Sequence, residues 1–211
     1  MNSTLYYIYD ALCGWCYGFS PVMKKLHENY QEQLHFKVIS GGMVLGERAG
    51  PIGQVAPYIK GAYKRVEEMT GVIFGEPFLE VLDKGEMIFS SDMPSRALTH
   101  FRSLYPQRQV EFAHALQGAI YSKGLSPQDD STYLQLAGEM GIADKEFFAA
   151  SLHLSSVARE TEDDYKEAQR FQANGFPTVI VQHGGNYYLI ARGYTDYDSL
   201  EERLKQVLSK N

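Results

Sequence analysis

No stretch of this 211-residue chain approaches the run of about 18 consecutive apolar residues that a membrane-spanning helix needs. Positive charge is also scarce. Lys and Arg number 20 against 26 Asp and Glu, a formal net charge of −6. That balance counts against nucleic acid or an anionic membrane as a partner. The opening Met1-Asn2-Ser3-Thr4 lacks the basic and long apolar regions of a secretory signal, so the cytoplasm is the expected compartment. Metal-ligand spacing is missing too. The six histidines form no H-x₃₋₅-H pair, and only two cysteines exist, so a four-ligand zinc site is not expected. The glycines and prolines between Gly46 and Pro57 read as a loop. They match neither G-x-G-x-x-G nor a Walker A pattern, and no Lys-Ser/Thr pair follows. No metal and no cofactor are expected. Disorder is excluded by composition, because 44% hydrophobic residues against 22% charged is enough to build a core.

The two cysteines that are present stand in C-x-x-C spacing, as Cys13-Gly14-Trp15-Cys16. An apolar run, Leu5 to Tyr9, leads in and reads as a buried strand. A helical run, Val22 to His27, leads out. A static disulfide across one helical turn closes a very small loop and stabilises little, and structural disulfides are rare in the cytosol. A C-x-x-C pair at a strand-to-helix junction is therefore read as a thiol–disulfide redox site. The first turn of a helix carries unpaired N–H groups and the positive end of the macrodipole, which favour a thiolate. Cys13, at the helix start, is the expected nucleophile. Cys16, one turn on, is the expected resolving thiol. Trp15 offers a flat apolar surface beside the sulfur for gripping a partner. Asp10 lies three residues before Cys13. It reads either as a proton acceptor during exchange or as a turn- or helix-capping carboxylate.

Leu34 to Ser40 alternates apolar and polar residues and completes a βαβ unit. Pro21 is expected to kink the intervening helix or to mark its regular start. From Ala56 to about Phe148 the pattern is helical, with no convincing strand. Helices are expected over Val55–Thr70, from Asp92 to Leu104, from Pro106 to Tyr121, from Asp130 to near Gly141, and from Asp144 to Leu152. Val157 to Gln172 reads as a long, partly exposed helix. Pro177 to Val181 and Tyr187 to Ala191 read as a hairpin turned by His183-Gly184-Gly185-Asn186. Asp196 caps a last helix, Tyr197 to Leu208. The chain thus divides into a discontinuous α/β domain, 1–54 and 157–211, and a helical insertion, 55–156. In Gly175-Phe176-Pro177-Thr178 the proline alone reads as a strand-entry residue. Taken with the cysteine site and the β-β-α ending, it is expected to be cis, with Phe176 and Pro177 holding substrate backbone beside Cys13.

The run Asp10-x-x-Cys13-x-Trp15-Cys16, the Gly-Phe-Pro-Thr run at 175–178 and the order of elements together resemble the DsbA-like branch of the thioredoxin superfamily. The similarity is greatest to its FrnE-like members and to its predicted cytoplasmic protein-disulfide isomerases. This resemblance implies a thioredoxin fold with an inserted all-helical domain, a cis Pro177, and disulfide exchange with protein or small-molecule thiols, glutathione included. Gly14-Trp15 stands where strongly oxidising members carry Pro-His. In a reducing cytosol this shifts the expected direction to reductase or isomerase. Two alternatives follow from the same architecture. One is a non-enzymatic thiol redox sensor or adaptor. The other is a glutathione-dependent transferase or isomerase of the kappa-class type, whose members carry serine at the position of Cys13.

Overall fold

A computed structural model of the chain describes residues 3–210. Strand β1 (Thr4–Tyr9) enters helix α1 (Gly14–Tyr30), which returns along β2 (His35–Ser40), parallel to β1. The hairpin β5 (Thr178–His183) and β6 (Asn186–Arg192) adds to the other side of β1, antiparallel to it. The sheet order is β2-β1-β5-β6. Helix α9 (Tyr197–Leu208) follows, with the Asp196 carboxylate accepting from the Ser199 N–H at 2.9 Å. The turn between β5 and β6 places Gly184 and Gly185 at φ +56 and +80, the backbone that a two-residue hairpin turn of this hand requires.

The period-two alternation of the strands sorts their side chains. Leu5, Tyr7, Val38, Val179 and Val181 enter the core that α1 and α9 cover. Ile8, Ile39 and Ile180 face the other way and pack with Ala168 of α8 (Ser155–Arg170). Between β2 and α8 lie α2 (Ala56–Thr70), α3 (Glu76–Lys84), α4 (Asp92–Leu104), α5 (Gln109–Tyr121), α6 (Asp130–Glu139) and α7 (Lys145–Ser151). Their apolar faces meet in the same core that backs α1, through Phe101, Phe112 and Phe148, whose rings touch one another.

Three expectations need correction. Pro21 does not start α1, which runs through it from Gly14 to Tyr30. A proline cannot donate to the Tyr17 carbonyl one turn back, and the Ser20 hydroxyl does so instead, at 2.9 Å. The region 56–148 is not without strands. β3 (Gly50–Pro51) pairs antiparallel with β4 (Ile88–Phe89), a pair too short to show alternation. The Gly46–Pro57 stretch is not a plain loop either, because it holds β3 and two 3₁₀ turns, Gly46–Arg48 and Ile52–Gln54. Helix α3 carries no strong entry signal in the sequence beyond Pro77 in its first turn.

Side chains from the intervening helices seal β2. Gln109 accepts from the Val38 N–H at 2.7 Å and donates to the Phe36 carbonyl at 2.7 Å. Asp164 of α8 accepts from the Ser40 N–H at 3.3 Å, and Arg102 of α4 donates to the Val38 carbonyl. Covering an edge in this way satisfies groups that would otherwise pair with another chain.

The core also carries a cost. The hydroxyls of Tyr7 and Tyr9 are buried and have no hydrogen-bond partner among the described residues. An unpaired buried hydroxyl costs about 1–3 kcal/mol. Tyr7→Phe is therefore expected to leave stability unchanged or raise it by up to about 1 kcal/mol, read as an increased urea midpoint. A clear loss of stability would show that the hydroxyl is satisfied after all.

Candidate active site

Cys13 is the N-cap of α1, with extended backbone (φ −93, ψ 112) that turns the chain from strand to helix. Its N–H donates to the Asp10 carbonyl at 3.1 Å, and its carbonyl accepts from Tyr17 at 3.0 Å. The side chain is 7% exposed, and that of Cys16 is fully buried. Both thiols are free. Their environments push them apart. The Cys16 thiol donates toward Cys13, and the Cys16 and Trp15 N–H groups add to this, so the Cys13 thiol sits below its usual range even though burial opposes the shift. Burial first, and the neighbouring Cys13 second, hold Cys16 well above its own.

A cis peptide bond joins Phe176 to Pro177. The Phe176 carbonyl accepts from the Cys13 thiol at 3.6 Å. The Pro177 carbonyl is tied to the Gly193 N–H at 2.7 Å. Phe176 reaches the sulfur through its backbone, and its ring turns away. That ring packs with Ile8, Ile39 and Ile180 on the α8 side of the sheet. It lies over Gly41, where a Cβ would come within 2.1 Å of it. Glycine is needed there for the close approach.

Asp10 is 1% exposed and its carboxylate is occupied. It accepts from the Leu12 N–H at 2.9 Å, the Ser91 hydroxyl at 2.9 Å and the Met43 N–H at 2.7 Å. The Leu12 contact is an Asx turn that shapes the approach to Cys13. Ser91 precedes α4, so this carboxylate joins the cysteine loop to the inserted helices. Burial raises its proton affinity, and the three donors oppose that rise. Its charge in turn disfavours both thiolates.

A cleft of about 540 Å³ opens beside Cys13. Trp15 and Leu12 form one wall, α2 presents Tyr58, Ile59 and Tyr63, and Phe74 and Phe89 close the rest. Phe176 and Pro177 are not part of this lining, so the structure separates the expected substrate residues. Trp15 faces the cleft, and the cis-proline segment flanks the sulfur elsewhere. The cleft residues on α2 and on the β3–β4 pair carry no motif that could have marked them in the sequence. The signal that does exist is Gly18, where a Cβ would sit 2.7 Å from Thr70 and 2.9 Å from Val66. That glycine lets α2 approach α1 and form the wall.

The opposed thiol environments lead to a measurable outcome. Iodoacetamide should alkylate Cys13 alone, with a rate that stays high as pH falls below the ordinary cysteine value of about 8.5 and drops only through its own lower pKa. Mass mapping after brief alkylation across a pH series reads this directly. Labelling of Cys16 first would reverse the assignment of the two thiols.

Among the described residues no helix is long and apolar enough to cross a membrane. Residues 26% identical to this chain build the cytosolic disulfide reductase DsbM from Pseudomonas aeruginosa, which superposes with a TM-score of 0.80 over 96% of this chain and 97% of that one. The same reductase solved with GSH matches at 0.79, 25% identity, 98% of this chain and 100% of that one. The oxidoreductase DsbA from Xylella fastidiosa shares the fold at 13% identity, with a TM-score of 0.60 over 99% of this chain and 85% of that one. The ClpXP adapter protein SpxH of Halalkalibacterium halodurans is 24% identical over 183 residues, 83% of this chain. The chain spans 57% of that relative's length. A cysteine at the helix cap facing the Phe176 carbonyl just before a cis proline, in a sheet of this order, sits within a sequence match that runs from residue 4 to residue 205, and by that match the chain belongs to the DSBA-like thioredoxin domain family.

Proposed function

We propose that the protein is a cytoplasmic thiol–disulfide oxidoreductase that works chiefly as a reductase, with isomerisation as its secondary capacity. The observation that carries the reading is the polarised pair, in which the Cys13 thiol is favoured as thiolate at a helix N-terminus and the Cys16 thiol is held protonated behind it. Cys13 attacks a substrate disulfide and forms a mixed disulfide. Cys16 then attacks Cys13, releases the substrate thiol and leaves the Cys13–Cys16 disulfide. A dithiol, or two thiols such as glutathione, returns the pair to the reduced form. Trp15 supplies apolar contact to the incoming chain. Pro177 and the Phe176 backbone line up its backbone beside the sulfur. Asp10 holds the loop, and its charge acts on both thiols, which suits it to take the Cys16 proton. Residues 1–54 and 157–211 form the thioredoxin-like domain and 55–156 the insertion. Partners are protein or small-molecule thiols and disulfides, and the net negative charge favours neither nucleic acid nor an anionic membrane.

The reductase direction draws support from the relative described as a cytosolic disulfide reductase and from Gly14-Trp15 between the cysteines. Catalysed insulin reduction in a glutathione buffer tests the activity. A redox titration tests the direction, with a midpoint expected at or below about −220 mV, the upper end of the glutathione poise. A midpoint near −120 mV, typical of a strong oxidant, would overturn the reductase reading.

The adapter relative favours a second reading, in which the disulfide gates a protein-docking surface. Turnover separates the two, because an adapter oxidises once and changes its binding, whereas a reductase cycles. The presence of both cysteines weighs against the kappa-class transferase reading.

A further inference from the structure

We propose that Ser91, the residue before α4, is a positioning residue for the second step of exchange: its hydroxyl holds the Asp10 carboxylate ready to take the proton of Cys16. The inference rests on the disulfide-exchange reading above and on the role given there to Asp10. A residue from the inserted segment thereby enters a step otherwise carried by the cysteine loop alone.

Ser91 is fully buried. Its N–H donates to the Val44 carbonyl at 2.8 Å, and its Oγ accepts from the Val44 N–H at 3.0 Å. This reciprocal pair fixes the residue against the segment after β2. A serine hydroxyl carries one hydrogen. Ser91 directs it to Asp10 Oδ1 at 2.9 Å. The other two donors to the carboxylate are backbone N–H groups, that of Leu12 on Oδ1 and that of Met43 on Oδ2. Ser91 is thus the one side chain among the described residues that donates to Asp10. A carboxylate offers about four acceptor positions. Two donors fill Oδ1 and one sits on Oδ2, so the open position for an incoming proton is on Oδ2.

A donor to a buried carboxylate stabilises the ionised form, which is the form that can accept. Burial of Asp10 favours the protonated form, and Ser91 opposes it together with the two N–H groups. The charged and titratable groups that face Asp10 are Cys13 and Cys16 of α1, Tyr9 of β1, Tyr121 of α5, Tyr165 of α8 and Arg48 of the 3₁₀ turn after β2. Burial pushes all three tyrosines above their usual range. Between about pH 5 and about pH 8, the neighbours whose charge changes are therefore the two thiols.

In the step itself the Cys16 S–H proton passes to Asp10. The Cys16 thiolate forms the S–S bond to Cys13, and the bond between Cys13 and the substrate sulfur breaks. The departing substrate thiolate takes a proton from solvent, and Asp10 later releases its own to solvent. Over both steps the cysteine pair loses two electrons and the substrate disulfide gains them.

The test follows the reduced full-length chain against the aryl disulfide dithiobis(nitrobenzoate). It releases one coloured thiolate when Cys13 attacks and a second when Cys16 resolves the adduct. The first phase depends on reagent concentration and the second does not, so stopped-flow absorbance separates them. Both are recorded from about pH 5 to about pH 8. Ser91→Ala removes a donor to the carboxylate, so Asp10 holds its proton to higher pH. The acidic limb of the second phase is expected to move up by about one pH unit, about a tenfold loss of rate on that limb. The first phase is expected to rise slightly at the acid end, because a protonated Asp10 no longer opposes the Cys13 thiolate. Ser91→Thr keeps the hydroxyl and is expected to return the limb toward wild type. In an Asp10→Asn background, Ser91→Ala is expected to change the second phase no further. Circular dichroism checks the fold of each variant, and Asp10→Asn alone tests the acceptor without touching Ser91. A limb unmoved in Ser91→Ala, an equal change in the Asp10→Asn background, or both phases slowing together would overturn the inference. A wild-type second phase in Asp10→Asn would remove Asp10 from the step, and Ser91 with it. If wild type showed no first phase, the exchange reading itself would fall.

Discussion

Cys13→Ser is expected to remove insulin reduction, by more than about a hundredfold, while Cys16→Ser retains the first attack and stalls after it. The contrast follows from where each sulfur sits. The attacking species in exchange is a thiolate. A serine hydroxyl in the same place has no thiolate to offer, and the helix N-terminus does not shift its proton far enough to make one. Cys16 is fully buried, so no substrate can reach it directly, and its task starts only when a mixed disulfide on Cys13 is within one helical turn. Without Cys16, that mixed disulfide has no internal attacker and accumulates until an outside thiol resolves it. The expected result is a stable adduct of Cys16→Ser with one substrate thiol, seen as a mass increase that dithiothreitol removes. Wild type under the same conditions should show none. An adduct on Cys13→Ser through Cys16 would contradict the burial that separates the two roles, and full turnover in Cys13→Ser would remove the cysteine pair from the mechanism.

The sequence is most informative where chemistry is local. Cys13 and Cys16 are one turn apart in sequence and in space, and a strand-to-helix junction needs only neighbouring residues to declare itself. The same holds for Asp196 capping α9, for the Gly184-Gly185 turn, and for the glycine-stopped α2. Phe176-Pro177 is legible as a segment because it carries a recognisable run, yet its geometry is not. The run does not say that the carbonyl of Phe176 turns to Cys13 while its ring seats over Gly41, since Gly41 is 135 positions away. The cleft is invisible for the same reason. Its walls come from residues between 12 and 121, each of which would pass for an ordinary core or surface side chain alone. β3 and β4 are two residues long, and their pairing is set by the contacts around them, a tertiary effect that no periodicity can reveal. Asp10 is visible in sequence as a carboxylate near the cysteines. Its bond to Ser91, 81 residues on, requires the fold.

The second large effect concerns that long-range wiring. Arg102→Met is expected to destabilise the protein by about 3–5 kcal/mol, a figure typical of removing one partner from a buried ion pair. Arg102 meets Asp164 through both guanidinium nitrogens, at 2.9 and 2.7 Å, and the Asp164 side chain is 4% exposed. Removing the cation leaves a buried carboxylate with one remaining donor, the Ser40 N–H at 3.3 Å, and strips the Val38 carbonyl of its partner. Asp164→Asn in the Arg102→Met background removes the unpaired charge while keeping an acceptor for Ser40, so it should recover about half of the loss in urea denaturation. Were the single variant to lose less than about 1 kcal/mol, the pair would be acting as an exposed one. The location of this pair adds a consequence beyond stability. Arg102 belongs to α4 and Asp164 to α8, and together they hold the end of β2 at Ser40. Gly41, the next residue, is the floor under the Phe176 ring, and the backbone of Phe176 faces Cys13. Loosening β2 at its sealed edge therefore loosens the support of the cis-proline segment. Hydrogen exchange in Arg102→Met should rise at Ser40 and Gly41 before it rises in α1, and exchange confined to α4 would show that the inserted helices and the cysteine site are energetically separate.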